Sequence, residues 1–166
     1  YVHHVTSSFR YAYNFHPHQF GGIAVNVNGL TGTDKYRNVL IEGNRVENVG
    51  RTGIVVWDHI FAKYDEACTG VRIRKNSVKD IDSDGILTYG CDGALIEHNV
   101  ADGCGSYRED GGFNGSAAIW CTRGSNCIIQ YNEAFNTHML EGNADGTAFD
   151  IDIDAIDCIV QYNYSH

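Results

Sequence analysis

Five phrases of one shape recur along the chain: Val39–Asn44, Val71–Asn76, Ala94–Asn99, Cys127–Asn132 and Cys158–Asn163. Their asparagines are 32, 23, 33 and 31 residues apart. A constant core phrase separated by variable insertions is the signature of a solenoid, where each turn buries its apolar face only against its neighbours. Aligning the phrases on the asparagine gives columns. Three residues before it stand Ile41, Ile73, Ile96, Ile129 and Val160, and five before it Val39, Val71, Ala94, Cys127 and Cys158. Two after it stand Val46, Val78, Ala101, Ala134 and Ser165. Apolar positions two apart make one strand face, so these columns are expected to point inward. The intervening Glu42, Arg74, Glu97, Gln130 and Gln161 read as an outward polar column.

A second strand follows the first four phrases. Ile54 and Ile86 each lie ten residues after an asparagine, within Thr52-Gly-Ile-Val-Val-Trp57 and Asp84-Gly-Ile-Leu-Thr-Tyr89. Looser copies are Ala117–Cys121, Thr147–Asp152 and, earlier, Gly22–Val27. A single proline, with Val and Ile in short groups, favours strands throughout, and the absence of a sustained 3.6-residue apolar period argues against long helices. At 43% apolar residues the chain can bury a core and is not a disordered segment.

The asparagine column (44, 76, 99, 132, 163) and the Gly-Ile strand after it resemble the right-handed parallel β-helix of the pectate-lyase-like superfamily, over roughly residues 20–166. The resemblance implies an all-β, single-stranded solenoid of about five to six rungs, with 1–166 as one β-helix domain and 1–19 as a partial first rung or an N-terminal segment. It also implies an asparagine ladder at a tight turn, where each amide has two donors and an acceptor to satisfy. The chain stops at Tyr164-Ser-His166 without an evident cap, so flanking rungs of a longer solenoid are expected.

Long insertions at 58–68, 103–116 and 136–147 border the Gly-Ile strands, and function gathers on loops around a rigid scaffold. Alternation sends Val55, Trp57, Leu87, Tyr89, Trp120 and Thr122 outward there, followed by Asp150, Asp152 and Asp154. Trp57, Tyr89 and Trp120 then read as an aromatic platform for sugar rings, with Arg123 and His59 as neighbouring binding candidates. Asp150 and Asp152, as alternate strand residues, stand about 6.6–6.8 Å apart. Inverting glycosidases separate their two carboxyls by roughly 6.5–9.5 Å. Asp150 and Asp152 are therefore the expected acid and base, with Asp145 assisting. The same carboxylates with Asp154 are also a hard-oxygen set for Ca²⁺, although hydrolysis itself requires no cofactor. A solvated acidic strand face is the bland alternative.

The stretches around Gln130–Glu133, Asp145–Asp152 and Gln161–His166 further resemble bacterial secreted β-helix proteins that act on polysaccharides. That resemblance supports Asp145, Asp150 and Asp152, and ranks Glu133 lower because it follows the asparagine turn. It implies a secreted, carbohydrate-active glycoside hydrolase. A Ca²⁺-dependent polysaccharide lyase, with Arg108 or Arg123 as its basic group, and a non-catalytic glycan-binding solenoid are the alternatives. Twelve basic against 21 acidic residues give a net charge of −9, which argues against nucleic acid and favours a neutral glycan over a polyuronate. No apolar run is long enough for membrane insertion.

The six cysteines show no C-x-x-C spacing. Cys68 and Cys91 each lie eight residues before an asparagine, and Cys127 and Cys158 five before. Stacked turns bring such pairs to about 4.8 Å, within disulfide reach. Bonded pairs and reduced core thiols both remain open, with Cys104 and Cys121 expected in the core. His16-Pro-His18 reads as packed or solvated rather than metal-binding.

Overall fold

The structure, a computed structural model, describes residues 1–5, 17–27, 35–58, 68–106, 116–139 and 145–166. The chain is a right-handed parallel β-solenoid of about four turns. Among the described residues the strand pairings are all parallel, and the inner strands of the long sheets pair with their equivalents in the turns above and below. Three long sheets result. The first runs Val2–Val5, Arg45–Val49, Ser77–Ile81, Val100–Cys104, Glu133–Phe135, Tyr164–Ser165. The second runs Leu40–Glu42, Arg72–Arg74, Leu95–Glu97, Ile128–Gln130, Ile159–Gln161. The third runs Gly21–Val27, Thr52–Asp58, Ile86–Tyr89, Ala117–Thr122, Thr147–Ile151. Cys68–Thr69 and Cys91–Asp92 pair as a short fourth ribbon.

The aligned columns are the core. Ile41, Ile73, Ile96 and Ile129 stack in register and are buried, as are Val46, Val78, Ala101 and Ala134. In the third sheet Ile54, Ile86, Ile119 and Cys121 join them. Parallel strands covered on both faces lose the polar alternation of a half-wet sheet. Thr52–Asp58 is accordingly buried at every position.

The corner between the second and first sheets explains the asparagines. The preceding residue takes a left-handed conformation each time: Gly43, Lys75, His98, Tyr131 and Tyr162 have φ of 69°, 55°, 55°, 54° and 54°. The backbone N–H and the Nδ2 of Asn99 both donate to Oδ1 of Asn132, at 2.9 and 3.0 Å, and Nδ2 also donates to the Ile73 carbonyl at 2.9 Å. Asn76 relates to Asn99 in the same way, and Asn132 to Asn163. A buried amide thereby meets both donors and its acceptor. Asn99→Ala strips a carbonyl and two amide donors of buried partners, at ~1–3 kcal/mol for each group left unsatisfied. The expected outcome, for ~3–9 kcal/mol over the three groups at ~2–4 °C per kcal/mol, is a melting temperature lower by roughly 6–36 °C. A thermal melt within 2 °C or so of wild type would show that the corner holds without it.

Candidate active site

The outer face of the third sheet carries two adjoining clusters, one sealed and one half-open. In register, Val55, Leu87, Trp120 and Asp150 form one outward column, and Trp57, Tyr89 and Thr122 the next. The alternation expected from sequence therefore holds across this sheet. The aromatic residues, however, do not present the open platform expected of them. Trp57 is 2% and Trp120 7% exposed, while Tyr89 is half-buried. Trp57 stacks on Tyr89 with centroids 3.8 Å apart, and the His18 ring lies parallel to it at 6.5 Å. His18 also meets the Trp120 ring edge-on at 5.6 Å. Aromatic faces satisfied by one another cover the sheet, and only the Tyr89 side reaches solvent.

Beneath these rings lies the buried cluster that sequence reasoning missed. Asp84 is fully buried, and four side chains donate to its carboxylate. His18 Nδ1 lies 2.5 Å from Oδ2, Thr52 Oγ1 3.2 Å and Ser83 Oγ 3.3 Å, and Trp120 Nε1 donates to Oδ1 at 3.1 Å. Burial pushes this carboxyl upward, but the His18 charge and hydrogen bond, the Arg51 charge and Thr52 outweigh it. The net effect holds Asp84 below the usual carboxylate range. A sealed carboxylate with four donors orients its partners; it does not reach a substrate. What it orients is Trp120, whose register neighbour is Asp150.

Asp150 stands at the half-buried end of that column. Burial first, then the charges of Asp152 and Asp145, raise its pKa above the ordinary aspartate value, against a lowering contribution from the Ile151 backbone N–H. The structure thus brings Asp145, Asp150 and Asp152 into one electrostatic neighbourhood. Asp154 leaves it. The strand ends at Ile151, so the expected run of three alternating carboxylates stops after Asp152. Asp154 turns away with φ of 57°, is exposed, and pairs with Arg123 at 3.7 Å. Arg123 itself lies over the Tyr89 ring at 5.7 Å, at the rim of the half-open cluster. Glu133 sits on the first sheet, bonded to His166 at 3.0 Å, remote from the strip. His59 and Arg108 lie outside the described residues.

Comparison with known proteins bears on the chain as a whole. No family model matches the chain. A curated lacto-N-biosidase of Bifidobacterium longum subsp. longum is 34% identical over an alignment of 159 positions that covers 80% of this chain and 10% of that protein. The crystal structure of a GH136 lacto-N-biosidase from Eubacterium ramulus superposes with a TM-score of 0.69 at 27% identity, covering 79% of this chain and 24% of that one. The chain is a parallel β-solenoid homologous to part of these lacto-N-biosidases. It spans about a tenth of the curated relative and a quarter of the solved chain. The kinship runs to these carbohydrate-active proteins and not specifically to the pectate-lyase-like superfamily. Among the described residues no helix is long and apolar enough to cross a membrane.

Proposed function

We propose that the half-open end of the third sheet is a glycoside-hydrolase active site, with Asp150 as proton donor, Asp152 as its partner carboxylate and Asp145 tuning the pair. The observation that carries this reading is the elevated Asp150 beside two further carboxylates on a rigid strand end. Glycosidic cleavage needs one carboxyl held neutral to protonate the leaving oxygen and another held ionised. Burial and like-charge neighbours favour the first at Asp150. Tyr89 and Arg123 form the adjoining rim for the sugar, with Trp57 and Trp120 as its rigid backing. The relatives' name suggests a glycan that carries lacto-N-biose, and a neutral oligosaccharide suits a chain of charge −9. An extracellular location accords with that substrate.

Incubating the natural full-length protein with a panel of neutral oligosaccharides, lacto-N-biosyl glycans included, tests the assignment by chromatography of the products. Release of a disaccharide is expected. Unsaturated uronate products would indicate a lyase instead, and retention of glycan without turnover would indicate a binding module.

A further inference from the structure

We propose that Cys121, Cys127 and Cys158 form a three-thiolate site for a soft metal ion of the zinc type. Their sulfurs all lie within 4.8 Å of one another. Three thiolates at ~2.3 Å from zinc place sulfurs about 3.8–4.0 Å apart, so a small contraction closes the site. The fold builds this arrangement from two directions. Cys127 and Cys158 occupy equivalent places in successive turns, just before the paired strands Ile128–Gln130 and Ile159–Gln161. Cys121 arrives from the third sheet, pointing inward at the far side of the corner. That corner turns through left-handed Arg123 and Asn126, at φ of 48° and 53°. It is pinned where Ser125 Oγ and Asn126 Nδ2 both donate to Asp92 Oδ1, at 2.8 and 2.9 Å.

Backbone N–H groups point at two of the three sulfurs. The Ala94 backbone N–H is directed at the Cys127 sulfur, and the Cys127 N–H at the Cys158 sulfur. Such second-sphere donors stabilise and orient thiolates at metal centres. Cys121 and Cys127 are buried and Cys158 half-buried, which leaves one side for the ion to enter and for water as a fourth ligand. Binding exchanges three thiol protons for the divalent ion, with no change of oxidation state. The odd count also matters: a disulfide satisfies two of three sulfurs, whereas an ion takes all three.

The test uses the reduced natural full-length protein, titrated with Cd²⁺ as a spectroscopic stand-in and then with Zn²⁺. A sulfur-to-cadmium ultraviolet band saturating at one equivalent is expected. Cys127→Ala and Cys158→Ala should each bind one equivalent fewer than wild type, and Cys104→Ala, altered elsewhere in the core, should bind as wild type does. Should the variants fail to fold, the wild-type protein still decides: Zn²⁺ should protect Cys158 from alkylation. Absence of the band, unprotected Cys158, or a disulfide within the trio in protein isolated without reductant would each overturn the assignment.

Discussion

Asp150→Asn is expected to lower turnover by about 10²–10⁴-fold, the usual contribution of a positioned acid or base, while raising the melting temperature at neutral pH. The second half follows from linkage. In the unfolded chain an aspartate titrates near ~3.9; burial, Asp152 and Asp145 raise that value in the folded protein. The protonated form is thus the one that folding favours. Its contribution is fully present below the unfolded value and is lost as pH rises through the folded one. At pH 7 the ionised group works against the fold, and an amide of the same shape relieves it. Near pH 3 both side chains are neutral and the two melting curves should converge. Kinetics on a lacto-N-biosyl substrate, paired with melts at both pH values, check this. Unchanged turnover, or lost activity together with a lower melting temperature at pH 7, would sink the role given to Asp150.

The opposite sign is expected two turns below. Asp84→Asn places an amide donor among His18, Thr52, Ser83 and Trp120, all of which donate to the native carboxylate. Breaking a buried charged pair by removing one partner costs ~3–5 kcal/mol. Melting should therefore fall by roughly 6–20 °C, at ~2–4 °C per kcal/mol. Because the Asp84 pKa is lowered on folding, its stabilisation is present above the unfolded value of ~3.9 and is lost as pH falls through the lower folded value. The wild-type protein should lose stability steeply in that acid range, and Asp84→Asn more gently. Denaturant melts from pH 7 to 2 measure the slope. Parallel pH curves for the two proteins would mean that Asp84 does not carry the acid response.

The solenoid was legible because its signal is redundant. Ile41, Ile73, Ile96 and Ile129 repeat one chemical demand at one structural position, and any two predict the others. Column alternation likewise gave the outward residues from Val55 to Asp150. It could not give their exposure, because whether Trp57 sees water depends on His18 lying against it, and His18 belongs to a segment outside the repeat. Asp84 was visible only as the first letter of a strand phrase. Its equivalent in the preceding turn is Thr52, and that polar match before each Gly-Ile pair was the available clue. Asp154 was misplaced for a local reason: alternation has no means of announcing that a strand stops at Ile151. The Cys121 contribution to the thiol trio needed the corner geometry, since six residues of sequence say nothing about which side of a bend a side chain occupies.

The left-handed residue and asparagine at each corner carry one more consequence. Every turn takes its alignment from the turn beside it, through the amide, and not from the length of chain in between. Excising one whole repeat, such as the 23 residues between equivalent asparagines 76 and 99, should leave the remaining layers in frame, lose the Asp84 network that this repeat carries, and bring the carboxylate end nearer the amino-terminal layers by one strand spacing of about 4.8 Å. The scaffold thus behaves as a stack of modules, and the distance between its two ends becomes a quantity that can be set in discrete steps.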